Sequence, residues 1–512
     1  MNRAQPKCIG KSAARSAFRA LGVTLAACLL AGCAVGPDYK TPDVSVPGRW
    51  GEGEKAQSVK PQLSNWWRRL HDPILNALVD DAVAGNLDVA TAKARIREAR
   101  STYRQAVGAL FPTLTAPVSV TRGYNGTGVS SSGSQNVAGG YTQFQAGFDA
   151  SWELDLFGGN RRGVEAAADN ADAADEDLRS TLLTLIGDVA SNYVAARGYQ
   201  ERSALASRTA ASQRQTAALT QAKFAAGAAS AVDVSNASGL AASTEANIPT
   251  LDASYAEAVH RLSVLTGSAP TALAPLLKRS AKTPAPPSAV ALGIPADILL
   301  ARPDVRKAER QLAQYTAKIG QAEANRYPSV SLTGTIASTG SRLGDLAKNS
   351  SISWSFGPSL SVPIFNGGQL KAAVEIAEAQ RDQHFLAYRS AVLTALEDVE
   401  NAIVLLAQER VKRTKLAAAA KSYGEAAGLG RALYQSGSSS FLDLLTAERS
   451  FYSAEDSLIQ SRVAIATDYV ALNKALGGGW DGAVDASKPE IVDIDTGPHL
   501  ATTVLGAPSS SR

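Results

Sequence analysis

Residues 141–160 read YTQFQAGFDASWELDLFGGN. From Phe144 to Leu156 the alternation never breaks: Phe144, Ala146, Phe148, Ala150, Trp152, Leu154 and Leu156 stand against Gln145, Gly147, Asp149, Ser151, Glu153 and Asp155. Successive side chains of a strand point to opposite faces, so the pattern predicts a β-strand with one apolar and one polar face. It is longer than a globular sheet usually needs. The surrounding chain is alanine-rich and reads as long helix, so the strand has to be explained by something outside its own neighbourhood.

The explanation begins with a second copy. In SISWSFGPSLSVPIF, Ile352, Trp354, Phe356, Pro358, Leu360, Val362 and Ile364 alternate with Ser351, Ser353, Ser355, Gly357, Ser359, Ser361 and Pro363. The two strands are in phase when LFGGN (156–160) is laid on IFNGG (364–368). Residues 87–115 align without gaps to 303–331, with Asp88/Asp304, Val89/Val305, Gln105/Gln321 and Pro112/Pro328 among the identical pairs. LTLIGDV (183–189) matches LTALEDV (393–399), and FAAGAASAVDV (224–234) matches YQSGSSSFLDL (434–444). Four matches in one order, at nearly constant offset, make a duplication of a whole substructure the economical reading.

Each half then has one layout. In the first repeat, 76–267, helical spacing over 76–111 stops at Pro112, and strands follow at 113–121 and 141–156 around a Gly-, Ser- and Asn-rich loop. Gly158-Gly159 ends the second strand, helix is expected over about 161–225, Gly227 marks a turn, and a further helix runs to about 265. The second repeat, 296–476, places strands at 329–337 and 351–364 and a helical turn at Gly437. The proline-rich segment 268–295 reads as a connector, 33–75 as an N-terminal segment, and 477–512 as a mobile tail.

A sheet facing lipid must have no open edge, so it must close into a barrel, and membrane barrels have at least about eight strands. One chain supplies four. Strands of this kind therefore imply several copies sharing one barrel, joined head to tail in a ring. The inner face, with Gln145, Asp149, Glu153 and Asp155, then lines water. The long alanine-rich helices pack side by side and continue the lumen as a tube. The alternative is a soluble β-sandwich attached to a helical domain. It leaves unexplained why both hairpins interrupt helix pairs at matching positions.

The N-terminus adds a compartment. Arg3, Lys7, Lys11, Arg15 and Arg19 precede the apolar run ALGVTLAACLLAGC, which is too short to span a bilayer and suits a secretory signal over 1–32. Leu30-Ala31-Gly32-Cys33 has the form of a lipobox, making Cys33 the expected acylated residue of the mature chain. Ala34 stands where an aspartate commonly signals inner-membrane retention of a lipoprotein, and the absence of that aspartate favours sorting to the outer membrane. Removing 1–32 takes away five cations, so the formal net charge of +4 becomes −1, and nothing points to a nucleic-acid partner. With Cys8 and Cys28 in the leader, no disulfide framework remains. His71, His260, His384 and His499 lack ligand spacing, and no nucleophile motif or phosphate loop occurs, so neither an enzyme nor a metal or cofactor site is expected.

The motifs CAVGPDYKTPD (33–43), NWWRRLHDPILNALVDDA (65–82), LLARPDVRKAERQL (299–312), RYPSVSLTG (326–334), VPIFNGG (362–368) and SGSSSFLDLLTAERSFYSAE (436–455) together resemble the TolC-type outer membrane factors, in their NodT-like lipoprotein branch. The resemblance implies a mixed α and β membrane protein: a homotrimer whose four strands per chain build a twelve-stranded transmembrane β-barrel, continued by a periplasmic α-helical barrel. It implies the exit duct of a tripartite multidrug efflux pump, partnered by a periplasmic adaptor and an inner-membrane RND-type transporter, lipid-anchored (palmitate) and set in outer membrane lipid. It also implies a gate at the helix turns, Gly227–Asn236 and Gly437–Thr446, with Asp443 and its counterpart Asp233 at the aperture and Tyr434 latching neighbouring helices. Ser439 and Thr446 depart from the residues some members carry there. Asp233 and Asp443 also fit as ordinary N-terminal helix carboxylates. Rival readings are a periplasmic coiled-coil adaptor, an exit duct for type I protein secretion, and a lipid-anchored structural protein without a channel.

Overall fold

Pro112 and Pro328 each end a helical stretch and pass the chain to strands, and this division recurs throughout the computed structural model. The structure describes residues 34–487 except 44–45, 49, 52–62, 126–127, 130–134, 137–138, 289, 291, 293–294, 296–297 and 299–301. The leader, Cys33 and the tail from 488 lie outside the described residues.

The first helical stretch is two helices, α1 (Pro73–Gly85) and α2 (Leu87–Gly108), where the spacing predicts one over 76–111. Asn86 makes the break. Its N–H donates to the Ala82 carbonyl, its Oδ1 accepts from the N–H groups of Asp88 (2.8 Å) and Val89 (3.1 Å), and its amide donates to the Leu265 carbonyl. An asparagine side chain competes with the backbone for these bonds, and apolar periodicity does not register that.

Strands β1 (Thr113–Thr115), β2 (Val118–Asn125), β3 (Gly128–Val129), β4 (Gln135–Asn136) and β5 (Gly139–Leu154) follow. Helix α3 (Gly159–Ala225) has 67 residues and α4 (Ala231–Leu265) has 35. After the short α5 (Ala274–Leu277) come α6 (Pro303–Ala324), β6 (Ser329–Gly340), β7 (Ile352–Ser361), α7 (Gln369–Ser436, 68 residues) and α8 (Phe441–Ala475, 35 residues). The duplication is visible in these lengths: α2 and α6 both have 22 residues, and each long helix has a partner of nearly equal length in the other half. At about 1.5 Å per residue the long helices each reach on the order of 100 Å.

The chain forms two units. The first comprises Met1–Pro42, Glu98–Asp172 and Glu309–Ala387 and contains the main sheet. Its order is β1 and β2 side by side on β5, then β6, then β7, all antiparallel. The strand expected over 113–121 is split between β1 and β2 at Ala116-Pro117, because proline lacks the N–H a ladder needs. The Pro117 carbonyl still accepts from Gly147 N–H at 3.1 Å. At the other end, β5 stops at Leu154 rather than 156, and β7 at Ser361 rather than 364.

The second unit comprises Asp43–Arg97, Ala173–Ala308 and Tyr388–Arg512. Its core holds Trp66, Trp67, Leu75, Tyr193, Leu262 and Tyr469, all essentially inaccessible. Arg302 of the RPDVR run is a structural joint of this unit. Its guanidinium donates to the Ala475 carbonyl at the end of α8 (2.9 Å), to Asp398 of α7 (3.0 Å) and to Asp304 (2.6 Å). One buried arginine thus joins three helices. Burial works to raise the Asp304 carboxyl, but the hydrogen bonds and charge of Arg302 outweigh it and hold it below its ordinary value.

The connector is pinned in this unit, since Arg197 donates to the carbonyls of Leu277 and Arg279. The start of the expected tail is packed as well. Trp480 stacks on Trp67 at 6.1 Å, and Trp66 Nε1 donates to the Gly478 carbonyl. Composition marks 477–512 as mobile, but within the described part, 477–487, a single tryptophan with a buried partner outweighs its glycine-rich surroundings.

Candidate functional site

Directly paired residues of an antiparallel sheet share a face, so the register sorts the side chains. On one face lie Leu114, Val118, Val120, Phe144, Phe148, Trp152, Leu332, Ile336, Trp354, Phe356 and Leu360, row against row: Val120–Phe144, Phe148–Ile336–Trp354, Trp152–Leu332. All but the half-buried Phe144 and Leu332 are exposed: Trp354 is 76% exposed, Leu360 65% and Phe148 54%. The opposite face carries hydroxyls and acids, with Thr115–Asp149–Thr335–Ser355, Ser119–Gln145–Thr339 and Glu153–Ser331–Ser359 in rows. β5 at about 3.4 Å per residue is long enough to cross a bilayer even when strongly tilted. The sheet has two open edges, β1/β2 on one side and β7 on the other.

Gln145, Asp149 and Glu153 are exposed on the polar face. Asp155 is placed differently. It lies beyond the strand, and its carboxylate accepts from the N–H groups of Asn160 (3.1 Å) and Arg161 (2.8 Å) at the start of α3. It also pairs with Arg161 Nε at 3.3 Å. A carboxylate is a strong acceptor for the unpaired N–H groups of a helix N-terminus, and that preference ends the alternation early. Glu153 and Asp155 line, with Lys318, Gln321, Tyr327 and Ile376, a cleft of about 680 Å³.

At the helix turns the two halves adopt the same geometry. Gly227 (φ 75°) and Gly437 (φ 82°) supply the left-handed residue that closes α3 and α7. Ala228 N–H reaches the Lys223 carbonyl and Ser438 N–H the Leu433 carbonyl, both at 2.8 Å. Ser230 and Ser440 then cap α4 and α8, and Asp233 and Asp443 return the bond to the serine N–H and hydroxyl in reciprocal capping boxes. One oxygen of each carboxylate is committed to its own helix start.

Tyr434 is 4% exposed, edge-on to Phe441 at 5.7 Å in a cluster with Ala237, Leu444 and Leu445. Its hydroxyl donates to Thr220 Oγ1 at 3.0 Å, and its carbonyl accepts from Lys223 Nζ, which also lies 4.5 Å from the ring centre. Close by, buried Glu448 accepts from Arg431 (2.7 Å) and from Thr216 (3.2 Å). Lys223, Thr220, Thr216, Arg431 and Glu448 escape sequence reasoning because each clasp joins residues of different helices, in most pairs more than 200 positions apart.

Cys33 falls outside the described residues, but the chain directly after it is held firmly. Val35 N–H donates to the Phe157 carbonyl, and buried Arg162 grips the carbonyls of Val35 and Gly36 and the Asp38 carboxylate (2.7 Å). Gly36 (φ +86°) lies so close to Gly320 that a side chain at either position would collide with backbone. Tyr39 and Thr41 donate to Glu309 at 3.1 and 3.2 Å, and burial pushes the Tyr39 hydroxyl up to about 12. Among the described residues no cluster of His, Cys, Asp or Glu could hold a metal ion, and no helix is long and apolar enough to cross a membrane. The second observation has no bearing on a β-barrel.

The family model for outer membrane efflux proteins matches residues 78–268 and 294–478, one stretch for each half. Nodulation protein T of Rhizobium leguminosarum bv. trifolii is 37% identical, with 90% of this chain and 97% of that protein covered. The solvent efflux pump outer membrane protein SrpC of Pseudomonas putida is 33% identical over 88% of this chain and 96% of its own length. The solved outer-membrane channel OprN superposes with a TM-score of 0.82 at 33% identity, covering 88% of this chain and all of that one.

Proposed function

The chain belongs to the outer membrane efflux protein family, and from that premise we propose that three copies share one β-barrel and form the outer membrane exit duct of a tripartite pump. The family is not one of enzymes, and the TolC-type channel fold agrees with a passive conduit. The observation that carries the proposal is the two-faced sheet with two open edges. An exposed apolar face of this extent requires lipid, and unpaired edges cannot remain in lipid. The β1/β2 edge of one copy pairs with β7 of the next, which closes the ring at twelve strands. The polar face, with Gln145, Asp149 and Glu153, then lines the pore, and its carboxylates favour cations over anions.

In this reading the inner-membrane transporter, of the RND type, supplies energy and selects the small toxic molecules or other cargo, and a periplasmic adaptor joins it to the duct. The gate lies at the helix turns, where Tyr434 is the latch and Asp443 with Asp233 the aperture charges. Cys33 carries the lipid, and the strap held by Arg162 starts beside Phe157, at the end of the apolar strand.

Planar-bilayer recording tests the duct. Purified protein should give discrete conductance steps that favour cations. Protein that inserts and never conducts, even with Tyr434→Ala loosening the latch, would leave a structural lipoprotein as the better description.

A further inference from the structure

The charged residues of the sheet are distributed with a bias that the duct does not require. The seven strands contain only three: Arg122, Asp149 and Glu153. Both acids are on the polar face, while Arg122 pairs with Thr142 in the phase of Val118, Val120 and Tyr124, so it projects from the apolar face. It is exposed, and its guanidinium has no hydrogen bond or ion pair among the described residues. A bare guanidinium on a lipid-facing strand is costly at mid-depth and tolerated near the interface. Arg122 sits near the interface, at the hairpin end of the sheet, remote from the junctions where strands meet helices.

A second cation reaches the same end. The row Val120–Phe144–Gly340 spans β2, β5 and β6, and Arg342 comes two residues after Gly340 with extended backbone. Asp345 accepts from the Arg342 N–H at 3.0 Å and pairs with Lys348 at 2.6 Å, so the segment 342–348, with two cations and one acid, keeps one net positive charge. In the sequence, residues 125–140 carry no charged side chain at all. Arg122 and Arg342 are therefore a net positive pair, and beside them Tyr124 and Leu343 are exposed. Aromatic and aliphatic bodies beside exposed guanidinium groups are the composition of a membrane interface that meets anionic headgroups.

We infer that Arg122 and Arg342 form a binding site for a phosphate-bearing lipid headgroup of the outer leaflet, one such site per copy around the barrel. Guanidinium groups suit phosphate because their fixed donors meet two oxygens at once. The inference rests on the barrel reading, since only a lipid-facing sheet brings the pair to headgroup depth.

The test uses the purified full-length assembly in detergent, titrated with bis-phosphorylated lipid A and, separately, with its dephosphorylated form, followed by native mass spectrometry. Wild type should retain the phosphorylated lipid roughly tenfold better than R122Q/R342Q, two charge-assisted contacts being lost. R122K/R342K should keep most of the retention, and the dephosphorylated lipid should not distinguish the proteins. Equal retention by wild type and R122Q/R342Q would overturn the site, as would full displacement by millimolar inorganic phosphate, which would make it a free-anion site. Wild-type protein that fails to insert into bilayers would overturn the barrel reading itself. Insertion with equal retention would remove only the lipid site.

Discussion

Helices α3 and α7 hold equivalent places in the two halves and differ by one residue in length, yet their surfaces are unlike. Along α3 the single large hydrophobic left exposed is Phe224, close to its end. Along α7 the exposed set includes Leu386, Leu393, Leu405, Val411, Tyr423 and Leu429. Leu393, Val411 and Leu429 are spaced by 18 residues, five helical turns, and therefore form one stripe with Leu386 two turns before. Duplication produced two helices of the same reach, and divergence left one covered within its own chain and the other uncovered. A stripe of that extent on a monomer marks an interaction surface, and a second copy of the chain is the occupant that the open sheet edges also require.

The sharpest way to break this comparison is to charge both helices. Leu393→Asp with Val411→Asp should convert the trimer to monomers in analytical ultracentrifugation, since each buried aliphatic side chain contributes about 1.5–3 kcal/mol and every copy loses two. Phe224→Asp on α3 should leave assembly intact. Equal behaviour of the two variants would mean that α7 faces solvent.

The turns offer the same contrast on a smaller scale. Tyr434 is buried against Phe441 and clasped by Thr220 and Lys223, whereas Phe224, its counterpart at an offset of 210 residues, is exposed. Tyr434→Ala should cost about 3 kcal/mol locally, seen as faster amide exchange across 431–448 and as larger conductance. Phe224→Ala should change neither measurably.

Much of this architecture is legible in the sequence, and the parts that are not have identifiable causes. The alternation in 144–154 survives because a slip of one residue would turn every side chain to the other face, and the matching copy at 352–361 removes the ambiguity of a single strand. Element ends are illegible where a side chain takes up backbone hydrogen bonds or an N–H is missing: Asp155 caps α3, Asn86 splits the first helix, and Pro117 interrupts the ladder. The clasps at Tyr434 and Glu448 join residues remote in sequence, so no local pattern announces them. The buried joint at Arg302 stands inside the motif that carries the family resemblance, but its partner Asp398 is 96 residues away.

Two carboxylates sharpen the comparison through pH. Asp304 is held below its ordinary value, so it contributes stability that is present at neutral pH and lost as pH falls through its folded value. Asp304→Asn should therefore lower the melting temperature at pH 7, with the gap closing in acid. Asp169 is the opposite case. Burial, only partly offset by Arg310, raises its carboxyl to about 6, so its ionised form costs stability above that pH. Asp169→Asn should stabilise by on the order of 1 kcal/mol at pH 7.5, and the gain should disappear below about pH 4. Gains of the same sign in both variants at pH 7 would contradict this assignment.

The smallest expected effect concerns the capping boxes. Asp233→Ala and Asp443→Ala should each cost about 1 kcal/mol or less, and equally, because the two turns have the same geometry. Ion selectivity measured on the same variants separates the aperture from the cap. If Asp443 faces the opening, its loss weakens cation preference beyond what an equal change in stability accounts for.

The central claim is that one face of the sheet meets lipid and the other meets a water-filled pore shared between copies. Single cysteines at 148, 149, 150, 151, 152 and 153, labelled in intact outer membranes with a charged membrane-impermeant thiol reagent, test it most directly. The shared barrel predicts labelling at Asp149, Ser151 and Glu153 and protection at Phe148, Ala150 and Trp152. Uniform labelling along the strand, or the opposite alternation, would contradict it.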